Sequence, residues 1–332
     1  MTLTPLRRRG TALAAALVLT ACSGSPEKTS TGKTGAASET RSFKADNGTI
    51  EIPTDPQRIV ALGSPQTYLA LGVKPIAFGE KATELNLAWL PTEAAQVNDS
   101  VVEVGDDVDY EKVAGLDPDL IVVHEPEHAL AGGSYNEERL QSIAPTVYIE
   151  LNNDAWKTQV GRLADVLNAV DTFEAGKVEY DALISEIKDE HADLLSSTTF
   201  KVLQRWGGDF TPEAGTLNME YPGSYCTSYA IDAGLDIIPD APANGDLDLE
   251  LSMEQLSDTV ADADVILYPL EADGSVKPEF APVLKTNIWK SLPQVKDGRA
   301  LGIRCNRTMT YASKVPTLES LKEALATLPE AG

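Results

Sequence analysis

The chain has few cysteines, few basic residues and no apolar run long enough to remain in a membrane. Three cysteines in 332 residues exclude a dense disulfide framework, and their spacing is unlike that of a zinc site. Lysine and arginine number 27 against 51 acidic residues, which gives a formal net charge of −24. Such a field repels phosphate groups, so nucleic acid is excluded as a partner. The 42% apolar and 23% charged residues are ordinary for a globular protein.

The first residues predict export and lipid attachment. Arginines 7–9 precede an apolar stretch at 12–19, and small residues then lead to Cys22, as in a bacterial lipoprotein signal. The pattern predicts removal of the signal peptide, residues 1–21, and attachment of diacylglyceryl to the Cys22 sulfur. A chance cysteine after an N-terminal helix is the weaker alternative, because every element of the signal is in order.

After the signal, residues 22–45 predict a flexible tether. From Ser23 to about Ser42 the chain is mainly Ser, Thr, Gly, Lys and Ala, and it cannot bury enough apolar surface to offset its ordering entropy. The lipid and the tether together predict a soluble body on the outer face of the cell membrane.

Two α/β halves follow, with a helical segment between them. In residues 46–165 short apolar runs alternate with helical patterns, and the continuous apolar run Asp119–Val123 is typical of a parallel strand buried on both faces. Residues 166–197 carry apolar side chains at helical spacing, with Thr172 as a possible N-cap, and predict a long connecting helix. The alternation resumes in residues 198–332.

Four motifs in order resemble the substrate-binding lipoproteins of ABC importers for ferric siderophores, haem and cobalamin. They are Pro56–Leu62, Leu69–Ile76, Glu111–Val122 and Ile288–Arg299, within a resemblance that covers about residues 50–328. The resemblance implies a class III periplasmic-binding-protein fold: two Rossmann-like α/β lobes with parallel sheets, joined by a single long rigid helix. It also implies a shallow cleft between the lobes, little hinge closure, a monomer, and ABC permease subunits as partners.

Ligands of open parallel sheets bind beyond the carboxyl ends of the strands. Arg304 and Arg307 fall at the end of one predicted strand, and their planar guanidinium groups suit the oxygens of a ferric chelate; ordinary surface ion pairs are the alternative. Aromatic residues at other strand ends offer apolar walls with polar edges, with core packing as the alternative. The candidate ligand contacts are Tyr68, His124, Trp206, Tyr225, Tyr268, Arg304, Arg307 and Tyr311.

The string from His124 to His128 formally matches the H-E-x-x-H pattern of zinc proteases. That pattern works only on a helix, whereas the residues before His124 predict a buried strand and Pro126 disfavours helix. Contact of either histidine with the ligand, or with haem iron, stays open. No nucleophile elbow or phosphate loop is present, so we expect no enzyme activity, no enzymatic cofactor and no directly bound metal.

Cys226 and Cys305 remain once Cys22 is lipidated. An exported chain favours a disulfide between them, with two free buried thiols as the alternative. The resemblance further implies that one surface glutamate on each lobe docks to the permease, and the matching positions are Glu111 and Glu254. The alternative is that these carboxylates only stabilise helix N-termini.

The sequence therefore predicts a lipid-anchored binding protein that captures a ferric siderophore in an inter-lobe cleft and delivers it to an ABC permease. A haem or corrinoid ligand within the same importer class is one alternative. The other is a surface lipoprotein that serves as a scaffold or adhesin without a transported ligand.

Overall fold

The structure is a computed structural model, and it describes part of the chain. The described residues are 39–63, 65–79, 97, 103–104, 107–126, 135–151, 155–205, 215–306 and 308–329. The predicted signal peptide and Cys22 lie outside the described residues, as do His128, Trp206 and Arg307.

A β-hairpin precedes the first lobe. Strand β1 (Thr40–Ala45) pairs antiparallel with β2 (Gly48–Pro53). The predicted tether therefore extends too far at its carboxyl end. Phe43, Ala45 and Ile52 are buried against the core, and this apolar burial orders a stretch whose composition is otherwise polar.

The N-terminal lobe contains an all-parallel sheet of four strands in the order β4-β3-β7-β8. The lobe's strands are β3 (Ile59–Gly63), β4 (Ala77–Phe78), β5 (Glu103–Val104), β6 (Asp107–Val108), β7 (Leu120–Pro126) and β8 (Thr146–Leu151), of which β5 and β6 form a separate antiparallel pair. Ile121, Val122 and Val123 in β7 are fully buried. Their continuous apolar run is explained by packing on both faces of the sheet.

Two longer helices lead out of this lobe. Among the described residues, the helices up to this point are α1 (Pro65–Ala70), α2 (Tyr110–Gly115), α3 (Glu137–Gln141), α4 (Trp156–Val166), α5 (Val170–Glu190) and α6 (Ala192–Leu195). Helix α5 is the predicted connecting helix. It begins after Ala169, whose side chain provides no cap, so Thr172 lies inside the first turn and the predicted N-cap is wrong. Asn168, at φ 55°, adopts the left-handed conformation that separates α4 from α5.

The C-terminal lobe has a mixed sheet rather than the expected all-parallel one. Its strands are β9 (Thr199–Gln204), β10 (Thr216–Glu220), β11 (Asp236–Ile237), β12 (Asp248–Ser252), β13 (Val265–Leu270) and β14 (Ala300–Arg304). The order is β12-β10-β9-β13-β14, with β11 beside the start of β9. Strands β9, β13 and β14 are parallel, whereas β10 runs antiparallel to both β9 and β12.

The last helix packs along the connecting helix. The C-lobe helices are α7 (Ser228–Asp232), α8 (Leu256–Thr259), α9 (Ala281–Lys285), α10 (Asn287–Ser291), α11 (Pro293–Lys296) and α12 (Tyr311–Leu325). Helix α12 approaches α5 so closely that a Cβ at Gly176 would lie 3.1 Å from the backbone nitrogen of Ala312. The Tyr311 ring lies 5.1 Å from Trp156 and 5.2 Å from Tyr180, between centroids. One core therefore joins α4, α5 and α12, and the predicted two-lobe α/β fold with a long helix between the lobes is confirmed.

Within the described residues, no helix combines the length and the apolar character that crossing a bilayer requires.

Candidate functional site

The carboxyl ends of β9, β13 and β14 meet along one edge of the second sheet, which we call the C-lobe edge. It comprises Gln204, Arg205, Leu270, Glu271 and Arg304–Asn306. Leu270 is directly paired with Arg304 in the parallel register of β13 and β14. Because ligands of such sheets bind beyond the carboxyl ends, this edge is a candidate ligand site.

Arg304 is anchored through its backbone while its side chain is left partly exposed. Its N–H donates to Ser320 Oγ (3.0 Å), and its carbonyl accepts from the Tyr229 hydroxyl (3.2 Å). Among the described residues its guanidinium forms no hydrogen bond and no ion pair, so the surface ion pair considered as an alternative is not formed there. Arg304 contributes slightly to the lowered pKa of Asp273, which hydrogen bonds from Ser275 lower mainly. A fixed backbone with an available guanidinium suits an anionic ligand.

The segment after β14 is held by side chains instead of by regular secondary structure. Asn306 accepts a hydrogen bond from the Thr308 N–H (3.1 Å) and donates to the Ser313 carbonyl (2.8 Å). Thr310 and Ser313 form a capping box at the start of α12. Asn306, Thr308 and Thr310 are all buried, so these hydrogen bonds are shielded from water.

A disulfide joins this segment to the loop before α7. Cys226 and Cys305 are bonded, with their Cα atoms 5.5 Å apart, and both are buried. The Cys226 sulfur accepts a hydrogen bond from Gln204 Nε2 at 3.3 Å, which places it against the end of β9. The bond closes a long loop, and in the chain-entropy model it stabilises the fold by about 4 kcal/mol.

His124 lies near the carboxyl end of β7, where it pairs in register with Gly63 of β3. Its Nδ1 is 3.1 Å from the Ile149 carbonyl, and its Nε2 is buried with no hydrogen-bond partner among the described residues. Burial lowers the pKa of His124 to about 4 against smaller opposing effects of the Ile149 hydrogen bond and the Asp46 charge. The ring is therefore neutral at pH 7, and because the carbonyl only accepts, Nδ1 carries the proton.

The zinc-protease pattern is not realised at this position. His124 to Pro126 belong to a strand, so the helical face that the pattern requires is absent there. Within the described part of the chain, no group of three or more His, Cys, Asp or Glu side chains could hold a metal ion.

Two buried glutamines near strand ends were not among the predicted ligand contacts. Gln66 follows β3 on α1, and Gln204 ends β9. Each has an Oε1 atom that is buried and lacks a hydrogen-bond partner among the described residues. Such acceptors are uncommon in native interiors and are often found where function requires them. In the sequence, these glutamines could have been recognised as uncharged polar residues at or just after the end of an apolar run.

Of the predicted aromatic ligand contacts that the structure describes, two are buried and two are half-buried. Tyr68 is fully buried and its hydroxyl donates to the Leu62 and Val122 carbonyls, both at 3.2 Å. Tyr311 is buried in the aromatic cluster of α4, α5 and α12. For these two residues core packing, the alternative reading, describes the structure, because the rings fill apolar space that no smaller side chain would fill.

The other two described aromatic candidates are half-buried. Tyr268 stacks on Phe280, with centroids 5.9 Å apart, and burial raises its pKa. Tyr225 packs against the core beside the disulfide, and its carbonyl accepts a hydrogen bond. Tyr225 and Arg304 each directly precede one cysteine of the disulfide, whereas Trp206 and Arg307 lie outside the described residues.

The two predicted docking glutamates are both exposed. Glu111 lies in the first turn of α2, which Asp109 caps by accepting from the Lys112 N–H at 3.0 Å. Glu254 lies in the turn just before α8 rather than within it. Hydrogen bonds from its own backbone and from Ser252 lower the pKa of Glu254, so this carboxylate is charged at neutral pH.

The similarity of this chain to known proteins extends over both lobes. Residues 59–304 match a family model described as periplasmic binding protein. The iron(3+)-hydroxamate-binding protein FhuD of Bacillus subtilis (strain 168) is 25% identical over 289 residues, which is 84% of each chain. The iron(3+)-hydroxamate-binding protein YxeB of the same organism is 27% identical over 290 residues, 85% of this chain and 84% of YxeB.

A solved structure agrees with this assignment. The siderophore periplasmic binding protein from the fuscachelin gene cluster of Thermobifida fusca superposes with a TM-score of 0.70 at 26% identity. The superposition covers 82% of this chain and 98% of that one. With a family model that spans the first parallel sheet, the connecting helix and the strands of the C-lobe edge, the chain belongs to the periplasmic binding protein family.

Proposed function

We propose that this protein captures a ferric siderophore of the hydroxamate class in the cleft between its lobes. Two relatives that match 84% or more of the chain carry iron(3+)-hydroxamate binding in their names. Their similarity extends over both lobes, as expected if the ligand contacts both. The proposal makes the protein a binding protein and not an enzyme.

The observation that carries the proposal is that Arg304 has a fixed backbone and a guanidinium without an ion pair among the described residues. The backbone of Arg304 at the carboxyl end of β14 is held by hydrogen bonds to the Ser320 and Tyr229 hydroxyls, whereas its guanidinium lacks an ion pair among the described residues. The chain has 51 acidic residues, so a carboxylate partner would be easy to supply. An available guanidinium in so acidic a protein supports recognition of a ligand that brings its own oxygens.

Delivery and anchoring complete the proposal. The lipid on Cys22 would hold the protein on the outer face of the cell membrane, where two ABC permease subunits receive the ligand. Glu111 and Glu254 are the proposed docking residues, and their exposure leaves them accessible to arginines of the permease.

Ligand titration of intrinsic tryptophan fluorescence tests this proposal. We expect saturable quenching by ferric desferrioxamine, with a Kd of about 1 μM or tighter, corresponding to about −8 kcal/mol. Metal-free desferrioxamine is the matched control and should bind more weakly, because iron organises the hydroxamate oxygens. If haemin or cobalamin binds more tightly than ferric desferrioxamine, the ligand is of that class and the siderophore proposal is wrong. Binding of none of them would favour a surface lipoprotein without a transported ligand.

A further inference from the structure

Lys314 is a fully buried lysine in the first turn of α12. Its Nζ donates hydrogen bonds to two backbone carbonyls, Tyr225 at 2.9 Å and Asn306 at 2.8 Å. These carbonyls belong to two different segments, the loop before α7 and the segment after β14. One ammonium group thus fastens both segments to the start of α12.

The disulfide joins the same two segments. Cys226 directly follows Tyr225, and Cys305 directly precedes Asn306. The covalent bond and the lysine therefore act on adjacent residues in both segments. The disulfide fixes the distance between the segments, and the lysine fixes the direction of the carbonyls next to it.

The surroundings of Lys314 make a buried charge costly. Nζ lies 5.5 Å from the centre of the Tyr229 ring on α7, and Glu220 at the end of β10 is the acidic group whose charge favours the ammonium. Burial outweighs that charge and lowers the pKa of Lys314 to about 7. A methionine of similar length would fill the same space without desolvating a charge. The lysine is therefore best explained by the two carbonyls that it holds.

We propose that Lys314 is a positioning residue for ligand capture, whose ammonium orders Tyr225 and Asn306 at the C-lobe edge before the ligand arrives. The inference rests on the proposed function, since it assigns Lys314 to the same site. It adds a residue that does not itself touch the ligand. Preorganisation of this kind raises affinity because less ordering remains to be done on binding.

The test compares Lys314→Met with Lys201→Met as a matched control. Lys201 is also a buried lysine of the C lobe, but it lies near the amino-terminal end of β9, where it binds the Thr259 carbonyl and Asp262. Hydrogen exchange of residues 221–227 and 305–310 is measured without ligand, and the Kd for ferric desferrioxamine is measured at pH 6.0 and pH 8.5. Hydrogen exchange requires no ligand. It therefore tests whether Lys314 orders the two segments even if ferric desferrioxamine does not bind.

We expect faster exchange of both segments in Lys314→Met only, with a Kd about tenfold weaker than that of the wild type at pH 6.0. The wild type and Lys201→Met should bind more weakly at pH 8.5, because the neutral amine loses the charge that strengthens both hydrogen bonds. Lys314→Met should lack this change.

Unchanged exchange in Lys314→Met would overturn the inference, as would an unchanged Kd or a pH profile identical to that of the wild type. If Lys314→Met does not fold, the wild type decides alone: its two segments should exchange faster at pH 8.5 than at pH 6.0 after correction for intrinsic rates, and equal protection would overturn the inference. A wild type that binds no ferric siderophore overturns the proposed function and, with it, the assignment of Lys314 to ligand capture.

Discussion

Lys157 Nζ lies 2.5 Å from Asp232 Oδ2, in an ion pair between helix α4 of the N-terminal lobe and helix α7 of the C-terminal lobe. The Tyr180 hydroxyl of the connecting helix donates to the same oxygen, also at 2.5 Å. Burial and this hydrogen bond both raise the pKa of Tyr180, so its hydroxyl keeps its proton. Three elements thus meet at one carboxylate, an arrangement that opposes relative motion of the lobes.

Removing Asp232 should cost more stability than removing Lys157. Asp232→Ala leaves the buried Tyr180 hydroxyl without its charged acceptor, and we expect a loss of about 2 kcal/mol. Lys157→Met should cost only about 0.5 kcal/mol, because that ion pair is partly solvated. Urea unfolding measures both. Lys177→Met, in the exposed pair with Asp181, is the control and should leave the midpoint unchanged; equal losses in all three variants would contradict the special role of Asp232.

Gly176 should not tolerate alanine, although it lies within a helix. A Cβ there would be 3.1 Å from the Ala312 backbone nitrogen, and a backbone atom cannot move aside cheaply. We expect Gly176→Ala to destabilise the protein by about 1–2 kcal/mol, despite the gain of about 1 kcal/mol in helix propensity. Thermal unfolding measures the effect.

Two other helical glycines serve as controls for this prediction. Gly115→Ala meets no atom within 4 Å, and Gly161→Ala meets only the Phe173 ring, a side chain that can shift. Both variants should be neutral or slightly more stable. A Gly176→Ala protein as stable as Gly115→Ala would show that α5 and α12 can separate without cost.

Arg304→Ala should weaken ligand binding without unfolding the protein. The lost charge-assisted contact predicts a change of about 1–3 kcal/mol in binding free energy for ferric desferrioxamine, and Arg307→Ala should add to it. Arg299→Ala is the matched control, because Arg299 directly precedes the same strand at the opposite edge and donates to the Asp264 carbonyl. Calorimetric titration measures the Kd of Arg304→Ala, of the double variant Arg304→Ala with Arg307→Ala, and of Arg299→Ala. A Kd of the double variant equal to that of the wild type would remove both arginines from the site.

His124 should make the protein sensitive to acid. Its pKa is about 4 when folded, whereas an unfolded histidine titrates near 6.5. Between these values the unfolded chain binds more protons, so stability falls as the pH is lowered through this range. The loss from pH 7 to pH 4 is about 3 kcal/mol for this residue. His124→Asn keeps a donor for Ile149 but cannot titrate, and its unfolding free energy should fall less over the same range; equal slopes would contradict the assignment.

Glu111→Ala with Glu254→Ala should impair uptake and leave ligand binding intact. Both side chains are exposed, so the melting temperature and the Kd in solution should stay nearly unchanged. Uptake of iron-55 as ferric desferrioxamine into cells should fall sharply at equal surface abundance. Glu179→Ala on the exposed face of α5 is the control, and uptake equal to that of the control would contradict the docking role.

Local pattern predicted the two-lobe α/β fold and the connecting helix, but not the β1–β2 hairpin or the antiparallel strands of the second sheet. Continuous apolar runs such as the one at Ile121–Val123 predicted buried strands, and helical spacing predicted the connecting helix, because both signals depend on neighbours within a few residues. The helix ends were less predictable. Thr172 has the chemistry of an N-cap, yet α5 begins earlier, where Asn168 turns the chain.

Some residues of the candidate site could likewise be suggested from the sequence, whereas others could not. Arg304 was proposed as a ligand contact from its position at the end of a strand, since strand ends are visible in the sequence and ligands bind beyond them. Tyr68 and Tyr311 could not be separated from Tyr225 by sequence, because whether an aromatic ring packs inward depends on elements far away along the chain. Lys314 was missed for the same reason: only the fold brings residues 225, 306 and 314 together.

By itself, then, the sequence determined the acidity, which follows from composition, and the alternation of strands and helices in two halves, which follows from short-range periodicity. The family resemblance rested on four motifs in order. The tertiary structure decided which polar groups became buried and which partners they met. Those outcomes depend on contacts between residues far apart in the chain, such as Lys157 with Asp232, and on the free energy of removing each group from water, which no local pattern encodes.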